Sequence, residues 1–216
     1  MSYQSGLRAA LATGSLLALS GCVGALLGGG KPDALYRFGT TQSQTISQQI
    51  ALPRRILAVP TPNFSPAAGG DRILTSQGSA TSYIKDMRWV TAAPTLYAAS
   101  IEAIIAERAP DIVVAGRGSA GRADAVLTVT VDRFEAVYSS NGIGLPTIQI
   151  DGNAVLFDLA RKKLLGRYKV SVSRPVAANS GSAIAAAFDA AVRDSVIQVV
   201  DWTNVTMSVT MIQNKS

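Results

Sequence analysis

Histidine is absent from all 216 residues, and cysteine occurs once, at Cys22. Without an imidazole there is no Ser-His or Cys-His catalysis, no histidine-dependent zinc site and no imidazole proton shuttle. A single cysteine forms no intrachain disulfide. An enzyme built from what remains would rely on carboxylates, a Ser-Lys pair or tyrosine. Charge is sparse as well: charged residues make up 16% of the chain against 48% hydrophobic ones, the balance of a globular protein rather than a disordered one. The net charge of +6 comes from scattered basic residues, such as Arg54-Arg55 and Arg161-Lys162-Lys163, with few aromatics among them. No nucleic-acid partner is expected from that pattern.

What is present begins at the N-terminus. Arg8, the apolar run Leu16 to Leu19 and then Leu19-Ser20-Gly21-Cys22 follow the order of a bacterial lipoprotein signal. The apolar centre is far shorter than the ~20 residues a membrane span needs. Ser20 and Gly21 are small enough for a peptidase to seat the backbone, and Cys22 supplies the thiol for acylation with chains such as palmitate. Residues 1–21 therefore read as a signal peptide, and their removal takes away only Arg8, leaving +5. An ordinary secretory signal or a core helix with a buried thiol are the plainer readings. Gly24, Gly28-Gly29-Gly30 and Lys31-Pro32 argue against a continuing helix, so residues 22–33 read as a flexible tether. Acyl chains on one cysteine hold a soluble domain at a bilayer, at ~0.8 kcal/mol per buried methylene. Val23 follows the cysteine where enteric sorting uses Asp for inner-membrane retention. By that analogy the anchor lies on the periplasmic face of the outer membrane, with the inner membrane second.

About 170 residues remain, enough for one domain, expected over residues 34–203. Ala34 to Phe38 reads as a strand, and Arg54 to Val59 as a second, stopped by Pro60 and Pro62. Arg72 to Ser76 and Ser82 to Lys85 form a hairpin across Gln77-Gly78-Ser79. From Pro94 the spacing becomes helical, with Leu96, Ile101, Ile104 and Ile105 as the apolar stripe, Thr91 as cap and Pro110 as terminator. Ile112-Val113-Val114 is a buried strand candidate. Asp124 to Tyr138 alternates strongly and places Leu127, Val129, Val131, Arg133 and Val137 on one face, with Thr128, Thr130, Asp132 and Phe134 on the other. Thr147 to Leu159 and Leu164 to Arg174 complete an antiparallel meander. Asn179-Ser180-Gly181-Ser182 caps a second helix, Ala183 to about Trp202, with Ile184, Phe188, Val192, Val196 and Val199 on one face. The fold expected is α+β, an antiparallel sheet with two main helices packed on one face. Residues 204–216 read as a polar tail without a place in it.

Few motifs carry chemistry. Gly116-Arg117-Gly118-Ser119-Ala120-Gly121 has the spacing of a dinucleotide loop, but it leads into a strand rather than opening a helix, so it reads as a loop. Asp124, Asp132, Asp151 and Asp158 lie on paired strands and contain the one arrangement open to general acid–base chemistry. Neither a catalytic set nor a metal site is assigned, and no cofactor is implied. Arg88-Trp89 precedes the first helix. Trp89 there either packs into the core or, with Arg88, faces a partner.

The order of these features resembles a family: a lipobox, a short tether, Leu35-Tyr36-Arg37-Phe38, the strand Arg55 to Pro60, a hairpin with Tyr83, and Arg88-Trp89 leading into an apolar helix. Ala123-Asp124 before a Val-Leu strand, the strand ending at Asp158 and the alanine-rich last helix continue the likeness. It is similar to the ABC-type transport auxiliary lipoproteins, which include the PqiC-like proteins that accompany MCE-domain lipid transporters. The resemblance implies a non-enzymatic docking component at the outer membrane, with an MCE-domain protein, a permease and an ATPase as partners, and it leaves a homo-oligomer open. An envelope assembly or scaffold lipoprotein of the same build is the alternative reading.

Overall fold

The computed structural model describes residues 32–39, 55–116 and 122–212. The signal segment with Leu19, Ser20, Gly21 and Cys22, the tether through Lys31, the polar stretch Thr40 to Gln49 and most of the glycine-spaced loop after Gly116 lie outside them.

The described residues form nine strands and two helices. In chain order these are β1 (Ala34–Tyr36), β2 (Arg55–Ala58), β3 (Asn63–Phe64), β4 (Arg72–Gln77), β5 (Ala80–Trp89), α1 (Ala93–Arg108), β6 (Ile112–Val114), β7 (Ala125–Tyr138), β8 (Thr147–Asp158), β9 (Lys163–Pro175) and α2 (Gly181–Ile212). The α+β class and the two helices agree with the sequence, but the sheet is mixed rather than antiparallel. β7, β8 and β9 make the antiparallel meander, whereas the far edge of β7 receives β2, β3 and β4, all parallel to it. The short segments after β2 and β3 do not reverse the chain, so it runs beside β7 three times in one direction. β7, 14 residues long, is the only described strand long enough to take all three. β5 then returns antiparallel to β4, β1 adds parallel to β5, and β6 adds parallel to β2. β6, expected to be buried, is thus an edge strand, with Ile112 buried and Val113 36% exposed.

One shift within β7 redirects the core. Val131 pairs with Gly152 and Arg133 with Asp151, so Asp132 is an extra residue, a β-bulge. Before it, Ala125, Leu127, Val129 and Val131 are buried; beyond it the phase changes, and Phe134 and Ala136 take the buried side while Arg133 is exposed. The face assignment made from strict alternation is corrected here, because an inserted residue turns every later side chain over. Phe134 thereby enters an aromatic cluster, with ring centroids 5.5 Å from Phe38, 5.3 Å from Phe64 and 5.0 Å from Phe188.

Both helices cover this same face. α1 buries Leu96, Tyr97, Ser100, Ile101, Ile104 and Ile105. Its N-cap is Ala92 rather than Thr91, with no side-chain cap, because the Gly70 carbonyl accepts the Ala93 N–H at 3.0 Å. Ser180 begins α2, its Oγ accepting the Ala183 N–H at 3.3 Å. α2 buries Ile184, Phe188, Val192, Val196 and Val199, as the spacing predicts, but it continues ten residues past Trp202 to Ile212. The polar tail expected from residue 204 is therefore helical as far as Ile212. Its β-branched residues disfavour a helix locally, yet Thr203 and Met207 are buried, and Trp202 stacks on Tyr168 of β9 with centroids 5.6 Å apart. Tertiary packing overrides propensity.

Candidate functional site

Trp89 ends β5 within the aromatic cluster, 2% exposed, edge-on to Phe38 at 4.9 Å and to Phe188 at 5.2 Å. It is part of the core, so the partner-facing reading of Trp89 is corrected. Its neighbour Arg88 points the other way, where strand alternation must send it, and pairs with Asp33 before β1 and with Asp71 before β4 at 3.2 Å. The Asp33 hydrogen bond, then that of Asp71, raises the guanidinium pKa. Arg88 thus ties the start of the domain to the sheet, and its fork is already occupied.

The carboxylates are likewise engaged. Asp124 Oδ2 accepts the Ile56 N–H at 2.7 Å, fastening β2 beside β7. Asp158 accepts the Arg161 N–H at 2.8 Å and its guanidinium at 3.2 Å, closing the β8–β9 turn. Asp151 accepts from Ser171 at 2.7 Å and Gln149 at 3.1 Å, while Asp132 on the bulge accepts from Asn153 at 3.5 Å. Each of the four is thus held by a hydrogen bond from a neighbouring protein group. Among the described residues no three metal-ligating side chains cluster.

Two polar groups that sequence reasoning missed lie between elements. Arg55, 4% exposed at the start of β2, donates to the Asn204 carbonyl and Ser208 Oγ, each at 3.1 Å, to Asn204 Oδ1 at 2.5 Å, and to Asp111. It fastens the last turns of α2 to the sheet. Tyr97 of α1 shares a hydrogen bond of 2.8 Å with Ser195 of α2, and burial pushes its phenol up to about 12. In the sequence Arg55 stands as one of a scattered basic pair, and Tyr97 is outside the stripe Leu96, Ile101, Ile104 and Ile105. Neither carries a local signal of its long-range partners.

What is left open is surface. On the sheet face away from the helices, register forms a stepped row: Val113 of β6 lies beside Ile56 of β2, and Ala58, two residues further along β2, lies beside Val126 of β7, followed by Phe157 of β8 and Leu164 of β9. Val113 and Leu164, at its two ends, are exposed, the latter by 43%. Lys163, Arg167 and Lys169 border the row on β9 and form no ion pair among the described residues. Among those residues no helix is long and apolar enough to cross a membrane.

The chain belongs to the ABC-type transport auxiliary lipoprotein component family, whose pattern it matches over residues 36–200. That makes it a lipoprotein-family auxiliary component of an ABC-type transport system. No curated protein matches it. Among solved structures it is similar to a Xanthomonas campestris protein of the DUF330 family, at TM-score 0.69 and 23% identity, covering 82% of this chain and 98% of that one. A second, uncharacterised protein aligns at TM-score 0.62 and 15% identity, covering 80% and 99%. At these identities the likeness is one of fold.

Proposed function

We propose that the chain is a lipid-anchored docking component of an MCE-linked ABC lipid transport system, without catalytic activity of its own. Cys22, freed by cleavage after Leu19-Ser20-Gly21, carries the anchor, and Val23 directs it to the periplasmic face of the outer membrane. The observation that carries the reading is the family match over residues 36–200, supported by a domain in which Asp124, Asp132, Asp151 and Asp158 each accept a hydrogen bond from a neighbouring protein group. The MCE-domain protein docks on the helix-free face. The apolar row from Val113 to Leu164 supplies the contact area, and Lys163, Arg167 and Lys169 attract an acidic rim on the partner, since complementary charge guides encounter.

The test is affinity capture of the tagged full chain from detergent-solubilised membranes, read by mass spectrometry, with Cys22→Ser and Val113→Glu/Leu164→Glu alongside. Recovery of an MCE-domain protein with its permease and ATPase, reduced at least tenfold by the double substitution, supports the proposal. Recovery of unrelated envelope proteins alone replaces it with the scaffold reading.

A further inference from the structure

One end of the sheet is free of charge. The β4–β5 turn, the β7–β8 loop and the segment entering α2 meet there, and residues 73–84, 136–150 and 175–188 contain no Asp, Glu, Lys or Arg. They are hydrogen-bonded to one another. Gln77 Nε2 donates to the Ser140 carbonyl at 3.4 Å, Tyr138 OH to Asn179 Oδ1 at 3.0 Å, and the Val176 N–H to the Pro146 carbonyl at 3.0 Å. At the opposite end lie Arg55, Asp111, Arg122, Asp158, Arg161, Lys162 and Lys163. In a chain with so few charges, that segregation sets the two ends apart.

The charge-free end also presents apolar side chains. Ile143 is 77% exposed and Leu145 50%. Their loop is ordered by its own hydrogen bonds. Ser139 Oγ donates to the Ile143 carbonyl at 2.7 Å, Asn141 Oδ1 accepts the Ile143 N–H at 3.1 Å, and the Gly142 N–H reaches the Ser139 carbonyl at 2.9 Å. Gly142 and Gly144 flank Ile143 with φ of +69° and +106°, conformations that glycine adopts without strain. The loop therefore offers Ile143 at little further ordering cost.

We infer that this end is where the domain rests on the bilayer that carries its anchor, with Ile143 and Leu145 entering the boundary between headgroups and acyl chains. The inference rests on the lipidation of Cys22 proposed above. Three observations favour lipid as the occupant. An uncharged surface enters the interface without desolvating an ion, which is the costly step. The loop satisfies part of its own backbone hydrogen bonding, as an apolar medium demands. And the chain approaches β1 from the direction of this end: β1 pairs in parallel with Met87 to Trp89, the last residues of β5, so it runs away from the charge-free turn where β5 starts, and Tyr36 OH lies beside Gly181 in the first turn of α2. Cys22 and Asp33 are separated by a stretch that spans at most about 40 Å when fully extended. The charged end is then turned away from the lipid, toward the aqueous compartment.

The experiment places an environment-sensitive fluorophore on Ile143→Cys in the acylated full chain, in phosphatidylethanolamine–phosphatidylglycerol vesicles. Leu164→Cys, at the charged end, is the reference; acylated Cys22 offers no competing thiol. A blue-shifted emission at position 143, quenched by spin-labelled lipid and unchanged by salt, with neither effect at 164, supports the inference. Flotation with the vesicles but a label at 143 as wet as that at 164 overturns it alone. Failure of the unsubstituted chain to float overturns the anchor and this inference together. A blue shift that grows with protein density and resists lipid quenching assigns the loop to a second copy of the chain, and also overturns it.

Discussion

Gly152 lies so close to Thr130 that a Cβ on it would stand 2.2 Å from the Thr130 carbonyl oxygen and 3.1 Å from the Val131 Cα. The glycine faces the bulge at Asp132, where β7 leans onto β8. Backbone, not a side chain, fills the space, so nothing rotates out of the way. Gly152→Ala is expected to cost about 3 kcal/mol, at the upper end of overpacking penalties. Gly78→Ala, with φ +58° and nothing within 4 Å, is expected to cost only about 1 kcal/mol of backbone strain. Urea unfolding of the two variants measures the contrast, and equal losses would refute the bulge as the cause.

Arg55 carries the junction of β2, α2 and Asp111. Arg55→Ala leaves Asp111 and Asn204 Oδ1 without their donor, and a buried charge pair broken on one side loses about 3–5 kcal/mol. Arg55→Lys recovers only part, since one ammonium does not reproduce the fork. Amide hydrogen exchange checks the site of damage: protection falls first at residues 204–212 of α2.

Tyr97 makes stability depend on pH in the alkaline range. Its phenol, at about 12 in the fold, titrates near the ordinary 10 once unfolded. Above pH 10 the unfolded chain has released a proton that the folded chain retains. Stability from this group is complete below pH 10 and declines toward pH 12, by roughly 2–3 kcal/mol. Tyr97→Phe removes that decline at a cost of about 1 kcal/mol, because Ser195 Oγ still donates to the Val192 carbonyl at 2.8 Å. Urea midpoints at pH 9 and pH 11, compared between the two proteins, read the difference.

Trp89 separates a core role from a partner role. Trp89→Ala is expected to lose about 3–5 kcal/mol through the cavity it leaves, whereas Trp89→Phe keeps an edge-to-face partner for Phe38 and Phe188 and costs less. If the indole were a contact for another protein, Trp89→Phe would abolish capture at unchanged thermal stability. The expected result is the reverse: capture persists and the melting temperature falls.

The helices, the β7–β9 meander and the apolar stripes were legible because they are local. Leu96 to Ile105 and Ile184 to Val199 repeat at helical spacing, and nearly every buried residue they predict is buried. The direction of β2, β3 and β4 was not legible, because alternation reports which face is covered and says nothing of which way the neighbour runs. Phe134 went to the wrong face for a related reason: the extra residue at Asp132 exists only relative to β8. The helix beyond Trp202 was not legible in what reads as a polar tail, because the contacts that hold it, those of Arg55 with Asn204 and Ser208, are long-range, while Val205, Thr206 and Val209 disfavour a helix locally.

The sequence by itself determined the exclusions and the family. A chain with no histidine and one cysteine cannot use the chemistries those residues supply, and the order of its strands, helices and short motifs needs no third dimension to be recognised. Tertiary structure alone decided where the polar groups are spent: Asp124, Asp151, Asp158, Arg55 and Arg88 became structural ties, and Trp89 became core. It also brought three uncharged segments, far apart in the chain, to one end of the sheet. Those outcomes depend on which distant residues meet, and hydrogen bonds and burial are properties of the pair, not of either residue in the chain.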